Sequence, residues 1–192
     1  MNQLRAQVEN YVPANEQEER DRALLLRWID SGVDILTREN EVAHLTASAW
    51  VMNPERTKVL MAYHNLYDSW AWLGGHADGE SDLLAVALRE VEEESGVGAV
   101  CPVTDEILSI ETLCVQGHEK RGRYVPCHLH LNVTYLLEAD PNQPLRVKPD
   151  ENSAVAWINV EDIPKKSTEE WFVERIYSKL CERAKNYPSV LR

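Results

Sequence analysis

Three glutamates, Glu90, Glu93 and Glu94, stand at i, i+3 and i+4 in the stretch REVEEES, with Arg89 directly before them. On a helix of 3.6 residues per turn these carboxylates share one side, while Glu92 points away with Asp82, Ala85 and Arg89. Glu90 and Glu94 also continue a row that begins with the apolar Leu83 and Ala87. A carboxylate beside a core must be paired, protonated or bound to a cation. The three repel one another, and they lie near a helix C-terminus, where the macrodipole disfavours negative charge. A solvated charge run is the plainer reading of three consecutive acids, but such a run has no reason to extend an apolar row. Hard divalent cations with oxygen ligands relieve the repulsion. Mg²⁺ takes one or two carboxylates per ion and completes its shell with water and substrate phosphates.

Other residue types suited to chemistry lie outside this helix. His128, His130 and Asn132 alternate in HLHLN and so share one strand face, opposite Leu129, Leu131 and Val133. Such a His-x-His pair suits a transition metal, but a polar wall of a substrate cleft is the preferred reading, beside plain structural hydrogen bonding. His76 follows the pair Gly74-Gly75 and is placed to meet a phosphate. Tyr67, Trp70 and Trp72 precede that pair. Trp72 reads as core, whereas Trp70 is equally suited to packing and to stacking on a base. The basic run from His118 to Arg123 reads as a loop, either solvated or a phosphate clamp built on Arg121 and Arg123.

Helices and strands must position these groups. Gln3 to Tyr11 reads as a helix stopped by Pro13, and Asn15 caps a second helix with Glu18 at capping-box distance. The stripe of Leu24, Leu25 and Trp28 on that helix packs on the main domain or forms a homodimer surface. HLTASAWVM and TKVLMAYHN form a hairpin around Asn53-Pro54-Glu55-Arg56, and SWAWL is a short strand leading into the glycine pair. Ser81 caps the acidic helix and Gly96 ends it. EILSIETLCVQ, HLHLNVTYLLE and SAVAWINV are strands, and Ser167 to Lys185 is a final helix. The expected class is α/β, an α+β sandwich with a mixed sheet between helices. The expected division is an N-terminal helical extension over 1–40 and one catalytic domain over 41–192.

Composition narrows the function. The chain has 192 residues and a formal net charge of -12, with 44% apolar and 27% charged residues. That charge excludes a sequence-blind grip on nucleic acid and an anchor on anionic membranes. No signal peptide or membrane span is visible. The four scattered cysteines fit reduced, mostly buried thiols in a cytoplasmic protein.

Gly75, followed at fixed spacing by Arg89-Glu90-Val91-Glu92-Glu93-Glu94-Ser95-Gly96-Val97, resembles the Nudix box. That box reads Gly-x5-Glu-x7-Arg-Glu-U-x-Glu-Glu-x-Gly-U, where U is apolar. The resemblance is strong over the box and looser over about residues 42 to 165. The chain departs at the first box glutamate, where Ser81 stands between Glu80 and Asp82, and at Leu73, where the family often has proline. The resemblance implies a Nudix-like fold and hydrolysis of a nucleoside diphosphate linked to another group, with Mg²⁺ or Mn²⁺ as cofactor. Carried over by position, Glu90, Glu93 and Glu94 hold metal, the Gly75 carbonyl adds a ligand, and Arg89 orients the glutamates. Glu90 could serve as general base, but the family also places that base outside the box. Here Glu151 is the first such residue and Glu119 the second. A non-catalytic ligand sensor, or an isomerase acting on isopentenyl diphosphate, are the alternatives. The retained Arg-Glu and Glu-Glu positions count against the first, and the lack of cysteine near Gly74-Gly75-His76 against the second.

Overall fold

The computed structural model describes residues 1–120 and 122–191. Its elements in chain order are α1 (Asn2–Asn10), α2 (Glu16–Asp30), β1 (Ala43–Met52), β2 (Lys58–His64), β3 (Ser69–Ala71), β4 (Leu73–His76), α3 (Leu83–Ser95), β5 (Val100–Pro102), β6 (Ser109–Val115), β7 (His118–Lys120), β8 (Arg123–Val125), β9 (His128–Ala139), β10 (Asn152–Asn159), α4 (Ile163–Lys166), α5 (Glu170–Phe172) and α6 (Ser178–Ala184). A π-helical turn over Val173–Tyr177 joins the last two helices, so the final helix is less regular than the sequence suggests.

The sheet is mixed, as expected. β1 runs parallel to β9 over its whole length, from Ala43 opposite Leu129 to Met52 opposite Glu138. On its other side β1 pairs antiparallel with β4 and, at its end, with β2. SWAWL is not one strand. The chain switches partner at Trp72, so β3 pairs with β2 and β4 with β1. β6 and β5 extend the sheet beyond β9, and β10 extends it beyond β2. The basic run, expected as a loop, contains a small hairpin of β7 and β8.

Period-two alternation gives β1 two different faces. Leu45, Ala47, Ala49 and Val51 pack with Leu83, Val86, Ala87 and Val91 of α3 in one apolar cluster. Trp50 and Met52 belong to a second cluster under the C-terminal helices, with Ile176, Tyr177 and Leu180. Trp72 packs edge-on against Phe172 and Tyr177, which bears out its reading as core.

The N-terminal helices share the first cluster through Leu4, Val8 and Leu25. Of the expected α2 stripe, Leu25 lies in this cluster and Trp28 packs against it together with Leu26 and Ile29, whereas Leu24 is in neither apolar cluster. Asn15 caps α2, its Oδ1 accepting from the Glu18 N–H at 3.0 Å. Glu18 reaches back to the N–H of Ala14, at 2.6 Å, not to that of Asn15. Its carboxylate is fully buried, 2.8 Å from Lys179 Nζ. Burial pushes the Glu18 pKa up, but Lys179 and the Ala14 N–H outweigh it and leave it below the ordinary value.

The same polar seam continues into the sheet. Lys179 also pairs with Glu111 at 3.2 Å. Glu111 accepts from Asn132 at 3.0 Å, and Asn132 in turn accepts from Thr46 and Ser48, each at 2.9 Å. The cysteines are more exposed than expected, with Cys114 and Cys127 at the surface and Cys101 and Cys181 half-buried.

Candidate active site

Helix α3 positions the acidic residues. Asp82, not Ser81, is its N-cap, with Oδ1 accepting from the Ala85 N–H at 3.1 Å. Glu80 Oε1 in turn accepts from the Asp82 N–H at 2.8 Å. The sequence places several oxygen-bearing side chains here, and the loop geometry decides which one reaches the helix. Gly96 ends α3 in the left-handed region at φ 74°, where its lack of Cβ removes the steric penalty.

Along α3, Glu90 and Glu94 are buried, whereas Glu92 and Glu93 are exposed. The Gly74 N–H donates to Glu94 Oε2 at 2.9 Å. The Glu90 carboxylate lies against the α-carbon of Gly75, where a Cβ would come within 2.5 Å of Oε1. A side chain at Gly75 would displace the Glu90 carboxylate. Gly74 faces β1 backbone, and a Cβ there would lie 2.6 Å from the Ala47 carbonyl oxygen.

Arg89 and Lys148 are the cations of the site. Arg89 Nη2 lies 3.3 Å from Glu90 Oε1 and 3.5 Å from the His76 carbonyl oxygen, and Nε lies 3.7 Å from Glu93 Oε1. Lys148 Nζ lies 2.9 Å from Glu151 Oε2 and 3.3 Å from Glu93 Oε2. Glu151 thus joins the acidic group across a lysine. Asn152, next in sequence, donates to the Glu94 carbonyl oxygen at 3.1 Å and fixes this loop to the end of α3.

Burial pushes the Glu94 carboxyl up to about 8, against the Gly74 hydrogen bond and with help from the charges of Glu90 and Glu151. Glu90 is raised for the same first reason, followed by the charge of Glu93. Burial opposes the Lys148 ammonium, but Glu151 and Glu93 overcome it and hold its pKa above the ordinary value. This is an acidic pocket short of positive charge. A divalent ion would supply what the two cations do not.

The sequence-derived residues do not all converge. Glu90, Glu93, Glu94, Gly75, Arg89 and Glu151 come together. His76, His128 and His130 form a second group with His44, considered below. Trp70 packs edge-on against Tyr63 at 5.7 Å, its partner across β2 and β3. Arg123 is exposed on β8, where Lys120 is its strand partner. Arg121 lies outside the described residues. Two site residues escaped the sequence reading. Lys148 and Asn152 sit in KPDENS, a stretch without periodicity, and only the proximity of Glu151 pointed there.

The NUDIX domain family model matches residues 42–180. No curated protein matches the chain significantly. Among solved structures it is similar to a NUDIX-family hydrolase from Clostridium perfringens, with a TM-score of 0.52 at 19% identity over 71% of this chain and 95% of that one. It is also similar to a Nudix hydrolase from M. smegmatis, with a TM-score of 0.52 at 18% identity over 78% and 91%. A third is an Ap4A hydrolase from C. elegans, with a TM-score of 0.50 at 16% identity over 74% and 95%. Among the described residues no helix is long and apolar enough to cross a membrane.

Proposed function

The chain belongs to the NUDIX domain family, as a pyrophosphohydrolase of nucleoside diphosphate derivatives in the broad sense, and from that premise we propose a metal-dependent mechanism on the α3 carboxylates. Glu90, Glu93 and Glu94 hold Mg²⁺, or Mn²⁺ in its place, and the Gly75 carbonyl contributes a further oxygen. The donor set is all oxygen, which suits a hard divalent cation. When bound there, such an ion would supply positive charge to the phosphoryl oxygens of a substrate in which a nucleoside diphosphate is linked to another group.

The observation that carries this reading is the position of Glu94. A carboxylate buried on a helix face, held by one backbone N–H and near two other acids, is costly unless a cation arrives. The chain's own residues do the rest. Arg89 holds Glu90 and Glu93 in register, the Gly74 N–H orients Glu94, and Lys148 keeps Glu151 beside the acidic group. Glu151 is the general base that takes a proton from the attacking water, with Glu90 as its alternative.

A sensor without catalysis is the second reading. The mutual contacts of Arg89, Glu90 and Glu93 favour the enzyme, because a sensor has no need to hold them together. The test is a panel of dinucleoside polyphosphates, nucleotide sugars, ADP-ribose and nucleoside triphosphates with Mg²⁺, with products read by phosphorus NMR. Hydrolysis of at least one compound that stops on chelation is expected. Tight binding of a panel member with no turnover would establish the sensor.

A further inference from the structure

Four histidines from three strands gather where β1, β4 and β9 lie side by side. His44 is opposite His130 across the parallel β1–β9 pair, and His76 closes β4, opposite Thr46. Gly75 faces Glu90 on α3, so His76, the next residue on the strand, faces away from α3. The ring centroids of His44 lie 5.1 Å from those of His76, 5.2 Å from His130 and 4.8 Å from His128. One ring nitrogen from each of His44, His76 and His130 lies within 4.8 Å of the others.

The hydrogen bonds define which nitrogen is available. His44 Nδ1 is 3.0 Å from the Asn40 carbonyl oxygen, and a carbonyl only accepts. Nδ1 therefore carries the hydrogen and Nε2 carries the lone pair. That Nε2 is buried without a hydrogen-bond partner, on a residue only 4% exposed. His128 repeats the pattern, with Nδ1 2.8 Å from the Pro126 carbonyl oxygen. Its Nε2 lies 3.2 Å from Nε2 of His130. A metal-ligating histidine commonly gives its other ring N–H to a carbonyl or carboxylate, which fixes the tautomer and aims the lone pair. Two nitrogens on one tetrahedral zinc, each about 2.0–2.1 Å from it, are about 3.4 Å apart.

We propose that His44, His76 and His130, with His128 as a fourth donor, bind a transition-metal ion of the zinc class at a site separate from the α3 carboxylates. Imidazole nitrogen suits zinc, copper, nickel and ferrous iron, and an all-nitrogen set is poorly suited to magnesium. The ion would tie β1, β4 and β9 together on the sheet face opposite α3. It would fix the end of β4 one residue beyond Gly75, so its role is to hold the glycine pair in place and not to touch substrate. His76 and His130 are half-buried, which leaves a route for the ion to enter. The competing arrangement is a stack of hydrogen-bonded neutral imidazoles without metal, but that leaves the His44 Nε2 lone pair buried and unused.

The full chain, stripped with a chelator, is titrated calorimetrically with Zn²⁺ in a large excess of Mg²⁺ that occupies the acidic site. One Zn²⁺ per chain should bind and resist the Mg²⁺. His44→Gln and His130→Gln should each weaken that binding by at least ~100-fold, the upper end of what loss of an outer-shell partner alone costs. Glu94→Gln should leave it unchanged. Loss of Zn²⁺ binding in Glu94→Gln with retention in folded His44→Gln would overturn the proposal, as would no binding above the Mg²⁺ background. Co²⁺ loaded into the unaltered chain gives a reading that needs no variant. An intense tetrahedral visible spectrum is expected, and a weak octahedral one sinks the histidine site.

Discussion

The carboxylate of Glu90 rests on the bare α-carbon of Gly75, so close that an added Cβ would come within 2.5 Å of Oε1 and 2.7 Å of Oε2. Neighbouring glycines therefore have different functions. At Gly75 the obstacle is the far end of a flexible side chain, which can swing aside. At Gly74 it is β1 backbone, with the Ala47 oxygen and Ser48 Cα at 2.6 and 2.8 Å. Gly75→Ala should keep the fold, with little change in melting temperature, yet lose on the order of a hundredfold in turnover as the carboxylate is displaced by about 1 Å. Gly74→Ala should cost about 1–3 kcal/mol of stability through overpacking. Denaturant melts and steady-state kinetics on the pair separate the two, and equal stability losses would refute the distinction.

Glu94 makes the metal-free protein sensitive to pH. Its folded pKa of about 8 lies above the ordinary carboxylate value of 4.5. Folding therefore favours the protonated form. That contribution is fully present below pH 4.5 and is lost as pH rises through 8. In chelator, the melting temperature should fall across this window, and Glu94→Gln should flatten the fall while reducing turnover on the order of a thousandfold. Mg²⁺ should restore stability at the alkaline end by binding the folded state alone. An unchanged pH profile in the variant would contradict the assignment.

Lys148 stands in the position a cation would share, between Glu93 and Glu151. Lys148→Met should lower the melting temperature in chelator, because carboxylate repulsion is no longer relieved. The same loss of positive charge should tighten Mg²⁺ binding several-fold. Calorimetric Mg²⁺ titration decides it, and weaker binding would show that holding Glu151 and Glu93 in place outweighs the competition of Lys148 with the ion.

The cap of α3 gives a local test. Asp82→Ala removes the side chain that accepts from the Ala85 N–H and should cost about 1 kcal/mol. Ser81→Ala should be near neutral, since its exposed side chain makes no cap. Thermal melts that reverse this order would return the cap to Ser81.

Lys179 joins α2 to the sheet. Both of its partners, Glu18 and Glu111, are fully buried. Lys179→Met takes the lysine from buried Glu111, while Glu18 keeps Arg183 at 3.1 Å, and should cost about 3–5 kcal/mol, mostly through Glu111. Urea unfolding should stay a single transition if the N-terminal helices fold with the sheet. A separate early transition would make them an independent unit.

Local pattern made much of this protein legible. The row from Leu83 through Ala87 to Glu90 and Glu94 is fixed by helical period, and the burial of its two acids follows from that geometry. The strands over β1, β2, β9 and β10 follow from alternation and turn residues. The final helix is visible as well, although its π-turn is not. What sequence could not supply depends on contacts between distant segments. Lys148 meets Glu93 across 55 positions. Ser81 and Asp82 are both able to cap, and the path of the loop selects Asp82. His44 lies far from His130 in sequence and gains its meaning from strand register, which sets the two opposite each other. A one-residue slip in that pairing would turn one ring to the other face. Periodicity specifies which side of an element a residue occupies, but only the packed sheet specifies which other residues it faces.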